Sequence, residues 1–141
     1  MPLTSLVYVS LASHDMSDEE LKEILRVSRE NNAKLGLTGM LLYRDGFFIQ
    51  ALEGEKGKVH KLYDKIKGDG RHRNILTAYE NDIEQRAFDD WSMGFNKIRD
   101  EDLNEEGVTD FLQARDDPEY FKQHPGKAAR LLDSFKHKNH F

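Results

Sequence analysis

The side chains of this sequence that could do chemistry together carry no charge. Gln50 stands in the apolar segment "FFIQALE", whose β-favouring residues predict a buried strand. A buried amide without hydrogen-bond partners costs about 1–3 kcal/mol, so Gln50 needs partners inside the fold. Alternate residues of a strand share a face, and this parity offers Tyr8 in the first predicted strand, and Trp91 and Met93 in the last. A phenol, an indole and a thioether around one amide predict a polar but uncharged site.

Two asparagines extend this predicted site. Asn31 and Asn32 are expected to close the first helix beside the same region. Amides and a phenol supply both donors and acceptors, which suits a neutral heterocycle with several hydrogen-bonding edges. Each residue also has an ordinary explanation: a strand Gln bonded to a local carbonyl, an Asn pair as a helix C-cap, and Met and Trp as core packing. Spacing alone leaves these explanations open.

The remaining polar residues show no catalytic or metal-binding pattern. The six histidines lack metal-ligand spacing, so no metal site is predicted, and "GEKGK" is not a phosphate-binding loop. No Ser/His/Asp constellation with a local signature is present. The sequence has no Cys, which excludes disulfides, zinc–thiolate sites and cysteinyl-flavin photochemistry.

Composition narrows the class of protein further. A chain of 141 residues fits one domain, and a net charge of −5 with interspersed acids and bases predicts no nucleic-acid partner. The N-terminus lacks the basic region of a signal peptide, and no run of 18 apolar residues could span a membrane. We therefore expect a cytoplasmic protein without a membrane partner.

The elements that must position these residues follow from periodicity and turn signals. Apolar alternation predicts strands, apolar residues at i, i+3, i+4 and i+7 predict helices, and Asp45-Gly46 predicts a hairpin turn. The predicted elements are a strand over Leu3–Leu11, a helix from the Ser17/Glu20 capping box to about Asn31–Asn32, strands in "TGMLLY" and "FFIQALE", a helix over about Lys56–Lys67, and strands in "NILTAYEND" and "WSMGFNKI". This βαββαββ order predicts an α+β fold, a ferredoxin-like sandwich with two helices on one face of a mixed five-stranded sheet.

The last part of the chain has a different character. Residues 1–98 are predicted to form the core domain, and residues 99–141 a C-terminal helical extension. Apolar residues of the extension, such as Phe111 and Phe135, must be covered by other residues. We expect them to lie on the open face of the sheet or against a second subunit.

Six motifs in this order resemble the BLUF domain, a blue-light sensor that binds a flavin non-covalently. The resemblance covers about Leu6 to Ile98. It is carried by "LVYVS" with Tyr8, "SxxNN" with Ser28, Asn31 and Asn32, "GLTGMLLY", "FFIQALEGE" with Gln50, "DGRHRNI" with Arg71 and His72, and "FDDWSM" with Trp91 and Met93.

The resemblance implies a function for most of these residues. It implies FAD as cofactor, with FMN or riboflavin as alternatives, and photochemistry by Tyr8, Gln50, Trp91 and Met93. The cofactor-binding residues that it implies are Tyr8, Ile24, Ser28, Asn31, Asn32, Gln50, Lys65, Ile66, Arg71 and His72. It further implies a non-catalytic sensor that signals to a partner protein and forms a homo-oligomer, a dimer or larger.

Two other classes of protein stay open on the same fold. One is a small flavin-binding enzyme or an acylphosphatase-like hydrolase, although "SLASHDMS" lacks the Arg-bearing phosphate loop that the hydrolase needs. The other is a colourless regulatory module that binds a small metabolite.

Overall fold

Five strands form one mixed sheet in the computed structural model, which describes residues 3–70, 72–88, 92–102, 107–117 and 119–136. The strand order is β4-β1-β3-β2-β5, in which β2 and β5 are parallel and the other neighbouring strands are antiparallel. The strands are β1 (Leu3–Ala12), β2 (Thr38–Arg44), β3 (Phe47–Glu55), β4 (His72–Ile83) and β5 (Gly94–Lys97). Two longer helices, α1 (Asp18–Leu35) and α2 (Lys56–Lys67), precede the shorter helices α3 (Val108–Asp116), α4 (Tyr120–Gln123) and α5 (Pro125–Ser134).

The two faces of the sheet carry different helices. Leu6 and Phe48 belong to a core that includes apolar residues of α1 and α2. Val7 and Ile49, one residue along each strand, belong to a second core that includes residues of α3, α4 and α5. The predicted ferredoxin-like sandwich is confirmed, and the extension covers the open face of the sheet within the same chain.

Helix α1 is longer than predicted. It begins with the predicted capping box, in which Ser17 and Glu20 exchange side chain–backbone hydrogen bonds. The predicted end near Asn31–Asn32 is wrong, because the helix continues to Leu35 and is capped by Gly36 at a φ of 69°. Both asparagines therefore project from the last turns of the helix instead of closing it.

Strand β5 is shorter than the predicted segment 91–98. It pairs with β2 only from Gly94 to Lys97, opposite Met40 to Tyr43. The carbonyls just before it are bound by α1, since Arg29 Nε donates to Met93 O at 2.9 Å. The prediction for β4 was instead too short, because antiparallel pairing with β1 extends it to His72–Ile83. Trp91 lies outside the described residues.

Gly39 belongs to the predicted strand "TGMLLY", and the structure places it in β2. It lies inside β2, where a Cβ would stand 2.0 Å from the carbonyl oxygen of Ala51 and 3.3 Å from Met93 Cε. Only glycine permits this approach of the two strands and of the Met93 side chain. Within the part of the chain that the structure describes, no helix is long and apolar enough to cross a bilayer.

Candidate functional site

A cavity of about 350 Å³ opens between α1 and α2 above the sheet. Its volume is within the range of roughly 300–1,000 Å³ that is common for small-molecule sites. Its lining includes eight of the residues named from the sequence: Tyr8, Ile24, Ser28, Asn31, Gln50, Lys65, Ile66 and His72. It also includes Val27, Leu41, Leu62 and Asp69.

The hydrogen-bond partners of Gln50 lie at the floor of the cavity. Tyr8 and Gln50 lie directly opposite each other on β1 and β3. The Tyr8 hydroxyl donates to Gln50 Oε1, and Gln50 Nε2 donates to Met93 Sδ at 3.4 Å. All three side chains are buried, so the amide has a partner at each end. Met93 stands behind Gln50 and does not line the cavity.

Tyr8 is held in its protonated form. Burial raises the pKa of its phenol well above the ordinary value, and the neighbouring Tyr63 and Asp69 raise it further. Since an unperturbed tyrosine already titrates near pH 10, the Tyr8 phenol keeps its proton throughout the neutral range. It can therefore donate to Gln50 under all ordinary conditions.

Asn32, also named from the sequence, is fully buried on α1 next to Asn31 and is not among the lining residues of the cavity. Its Nδ2 donates to the carbonyl oxygen of Ser92 at 2.5 Å, which orients the amide. Its Oδ1 is buried without a hydrogen-bond partner among the described residues. An unpaired buried acceptor costs about 1–3 kcal/mol, and a ligand N–H group would satisfy it.

The walls of the cavity come from one face of each helix. Ile24, Ser28 and Asn31 are spaced at i, i+4 and i+7 on α1, so they share a face. Lys65 and Ile66 come from the last turn of α2. Ile24 and Ile66 thus provide apolar walls from opposite helices, suited to the two faces of a flat ring.

His72 reaches the cavity from the start of β4. Its Nδ1 is 2.9 Å from Ser10 Oγ, and its ring centroid is 5.0 Å from that of Phe48. Ser10 is buried on β1, two residues beyond Tyr8, so one face of β1 positions both side chains. Arg71, also named from the sequence, lies outside the described residues.

Four lining residues were missed from the sequence. Leu41 lies opposite Gln50 on β2, a position that strand parity alone could not give before the pairing was known. Val27 and Leu62 lie one turn before Asn31 and Ile66, so helical spacing could have found them. Asp69 follows α2, and no motif or spacing in the sequence indicated it as a site residue.

Comparison with known proteins agrees with this geometry. The family model "BLUF: Sensors of blue-light using FAD" matches residues 3–94. The chain is 41% identical over 92 residues to a photoactivated adenylate cyclase subunit beta of Euglena longa, a match over 64% of this chain and 11% of that protein. It is also 41% identical over 86 residues to a photoactivated adenylate cyclase subunit alpha of Euglena gracilis, over 61% of this chain and 8% of that protein. The chain thus matches only about a tenth of these curated relatives.

Solved structures resemble the chain over most of its length. A dark-state structure of BlrB, described as a BLUF protein, is 31% identical with a TM-score of 0.78, over 96% of both chains. A photo-activated state of BlsA is 27% identical with a TM-score of 0.78, over 99% of this chain and 98% of that one. The match to the family model covers more than half of the sequence and includes the strands and helices around the cavity. The chain therefore belongs to the BLUF family, the sensors of blue light that use FAD.

Proposed function

We propose that this chain is a blue-light photoreceptor module that binds FAD non-covalently in the cavity between α1 and α2. The observation that carries the proposal is the buried chain from Tyr8 through Gln50 to Met93 at the floor of that cavity. The described residues would suit a flavin ring, because the buried Asn32 Oδ1 lacks a hydrogen-bond partner and could accept from a ring N–H. The lining also offers the uncharged polar groups of Ser28, Asn31 and Gln50.

Different side chains would contact different parts of the flavin. Asn31, Asn32 and Ser28 would hold the polar edges of the ring, and Ile24 and Ile66 would contact its faces. Lys65, Arg71 and His72 would lie towards the ribityl chain and phosphates. This assignment favours FAD, with FMN and riboflavin as the alternatives that extraction of the bound cofactor distinguishes.

Tyr8 and Gln50 perform the photochemistry in this proposal. A bound flavin that absorbs blue light supplies a strong oxidant for the lifetime of its excited state. Tyr8 would give one electron and its phenol proton to the bound flavin and later regain both, so the cycle would have no net redox change. While the phenol lacks its proton, Oε1 of Gln50 would lose the donor that it has in this structure. The amide is then free to rotate or tautomerise, because it can serve as both donor and acceptor.

Met93 senses the change in Gln50. In the structure, Nε2 of Gln50 donates to Met93 Sδ. Rotation of the amide would turn Oε1 towards the sulfur, which places two acceptors against each other and removes the hydrogen bond. The thioether side chain is flexible enough to move away. Trp91, two residues earlier, is the proposed counterpart in this exchange.

Strand β5 connects Met93 to the extension. Ile98 N donates to Tyr43 O, and Arg44 Nη1 donates to Ile98 O at 3.1 Å. Asn96 is buried on the face opposite to Met93, and its Nδ2 donates to the carbonyl oxygen of Phe135 just after α5. A movement of Met93 can therefore change how residues 99–141 dock on the sheet.

The proposed output is a protein–protein interaction rather than catalysis by the described fold. The curated relatives are photoactivated adenylate cyclase subunits. By analogy, the extension would pass the signal to an effector domain or a partner protein. Homo-oligomerisation stays a prediction, since the extension already covers the open face of the sheet within one chain.

The test of this function is an absorption spectrum of the purified protein in the dark and under blue light. We expect a flavin spectrum in the dark and a reversible red shift without bleaching in the light, because the cofactor's hydrogen bonds change but its redox state does not. A colourless protein would favour a metabolite-binding module instead. A bleached spectrum with substrate turnover would favour a flavoenzyme.

Met93→Ala should uncouple the output from the photocycle. The substitution removes the acceptor that Gln50 Nε2 uses but leaves Tyr8 and Gln50 in place. We expect the red shift to persist, while the light-induced differences in hydrogen exchange over residues 90–114 become smaller than in the wild type. Met16→Ala is the matched control, because Met16 is buried in the same core while the thioether that accepts from Gln50 is that of Met93. Identical exchange in the dark and in the light in the wild-type protein would contradict this route.

A further inference from the structure

A second buried tyrosine lies against Tyr8. Tyr63 of α2 is 3% exposed, and its ring centroid is 5.2 Å from that of Tyr8 with the ring planes 35° apart. Tyr63 does not line the cavity, and the photochemistry proposed above does not use its hydroxyl. Aromatic rings in contact can exchange an electron without large movements. Tyr63 is therefore placed where it could take the oxidising equivalent from Tyr8.

The proton acceptors of the two phenols differ. A phenol that is oxidised releases its proton, so the better acceptor marks the phenol that is easier to oxidise. Tyr8 donates to Oε1 of Gln50, an amide oxygen. The Tyr63 hydroxyl is 2.7 Å from Thr77 Oγ1, an aliphatic hydroxyl that is a weaker base than an amide oxygen. Proton loss therefore favours oxidation of Tyr8.

A cation lies over the Tyr63 ring. Lys67 Nζ is 4.3 Å from the ring centroid, one turn further along α2. A cation is attracted to the electron-rich face of an aromatic ring. Oxidation makes the ring electron-poor and removes this attraction, so Lys67 makes Tyr63 harder to oxidise.

We propose that Tyr63 is a redox-capable phenol that Lys67 and Thr77 keep reduced, so that the oxidising equivalent stays on Tyr8 beside Gln50. The inference rests on the proposed function, because it requires Tyr8 to be the electron donor. In the escape that these residues prevent, Tyr63 would give one electron to the Tyr8 radical. The O–H bond of Tyr63 would break and its proton would pass to solvent, while the O–H bond of Tyr8 re-forms with the proton it had released. The electron that left Tyr8 would stay on the bound flavin.

The test is Lys67→Glu in the flavin-loaded protein, followed by electron paramagnetic resonance after a blue-light flash. The carboxylate reverses the charge over Tyr63 and offers a proton acceptor. We expect a long-lived tyrosine radical that is absent from the wild type, and a lower yield of the red-shifted state. Lys67→Met removes only the cation, and the share of the radical on Tyr63 should rise roughly two- to fivefold.

Three further variants make the outcome specific to Tyr63. Adding Tyr63→Phe to Lys67→Glu should abolish the long-lived radical and restore the yield, an effect that a purely structural role of Lys67 would not produce. Lys67→Arg keeps the cation and should behave as wild type. Lys58→Glu makes the same charge change at an exposed position of the same helix and should also behave as wild type.

Two results would overturn the inference alone. One is a Lys67→Glu protein whose radical stays on Tyr8 with the wild-type lifetime. The other is a loss of yield in Tyr63→Phe by itself, which would make Tyr63 a necessary donor. If Lys67→Glu does not retain its flavin, Lys67→Met decides between the same outcomes. A normal red shift in Tyr8→Phe would instead overturn the proposed function, and this inference with it.

Discussion

The Gln50→Leu protein should bind its flavin and show no light-induced red shift. Leucine keeps most of the buried volume but removes both ends of the amide that joins Tyr8 to Met93. The leucine side chain has neither a hydrogen-bond donor nor an acceptor, so it cannot exchange one for the other when Tyr8 is oxidised. The flavin should stay bound because Asn32 and the walls of the cavity are unchanged. Light and dark absorption spectra of the purified variant measure this result.

Two controls separate this effect from a general loss of function. Gln123→Leu makes the same change at an exposed position of α4 and should leave the red shift intact. Tyr8→Phe removes the donor of the same hydrogen bond and should also abolish the normal photocycle, because the ring remains but the phenol proton is gone. Tyr43→Phe removes a phenol from the same core, but this phenol does not line the cavity. This variant should therefore keep the normal photocycle. A wild-type red shift in Gln50→Leu would show that the amide is not the switch.

The second large effect should follow from Asn32→Ala. This substitution removes the buried Oδ1 that we propose as the acceptor for a ring N–H, and the Nδ2 that binds Ser92 O. A lost hydrogen bond at a buried site costs about 1–3 kcal/mol, so flavin affinity should fall roughly 5- to 150-fold. The measurement is the dissociation constant, obtained by titrating free flavin with the flavin-free protein and following flavin fluorescence.

Asn81→Ala provides the matched control for this prediction. Asn81 is exposed on β4 and is not among the lining residues of the cavity, so its loss should not change flavin affinity. Thermal unfolding of both variants shows whether a weaker affinity comes from the site or from the fold. A fully loaded Asn32→Ala protein with an unchanged spectrum would remove Asn32 from the binding site.

The residues of each strand that share a face could be predicted from the sequence, because side chains alternate along a strand with a fixed period. Parity offered Tyr8, Gln50 and Met93 as side chains that could share one face of the sheet, and the structure brings these three into one hydrogen-bonded chain. The direct opposition of Tyr8 and Gln50 could not be predicted, since it depends on which strands pair and in what register. The position of Leu41 beside Gln50 required the same information.

The ends of the elements were harder to predict than the elements themselves. Two consecutive asparagines are typical of a helix end, yet α1 continues past them because both side chains are used elsewhere. Asn32 binds Ser92 O, and Asn31 lines the cavity. The fifth strand was predicted too long for a related reason, because α1 binds the carbonyls of Ser92 and Met93. In both cases a tertiary contact at the candidate site replaced the local preference.

The rearrangement of Gln50 is the central claim, and an infrared difference spectrum tests it most directly. The chain has four glutamines, so labelling their side-chain carbonyls with carbon-13 marks few groups. The account predicts a label-sensitive carbonyl band that shifts reversibly under blue light, together with the red shift. The band should be unchanged in Gln123→Leu and absent in Tyr8→Phe. A red shift without any label-sensitive band would contradict the account, because the spectral change would then arise without a change at the Gln50 amide.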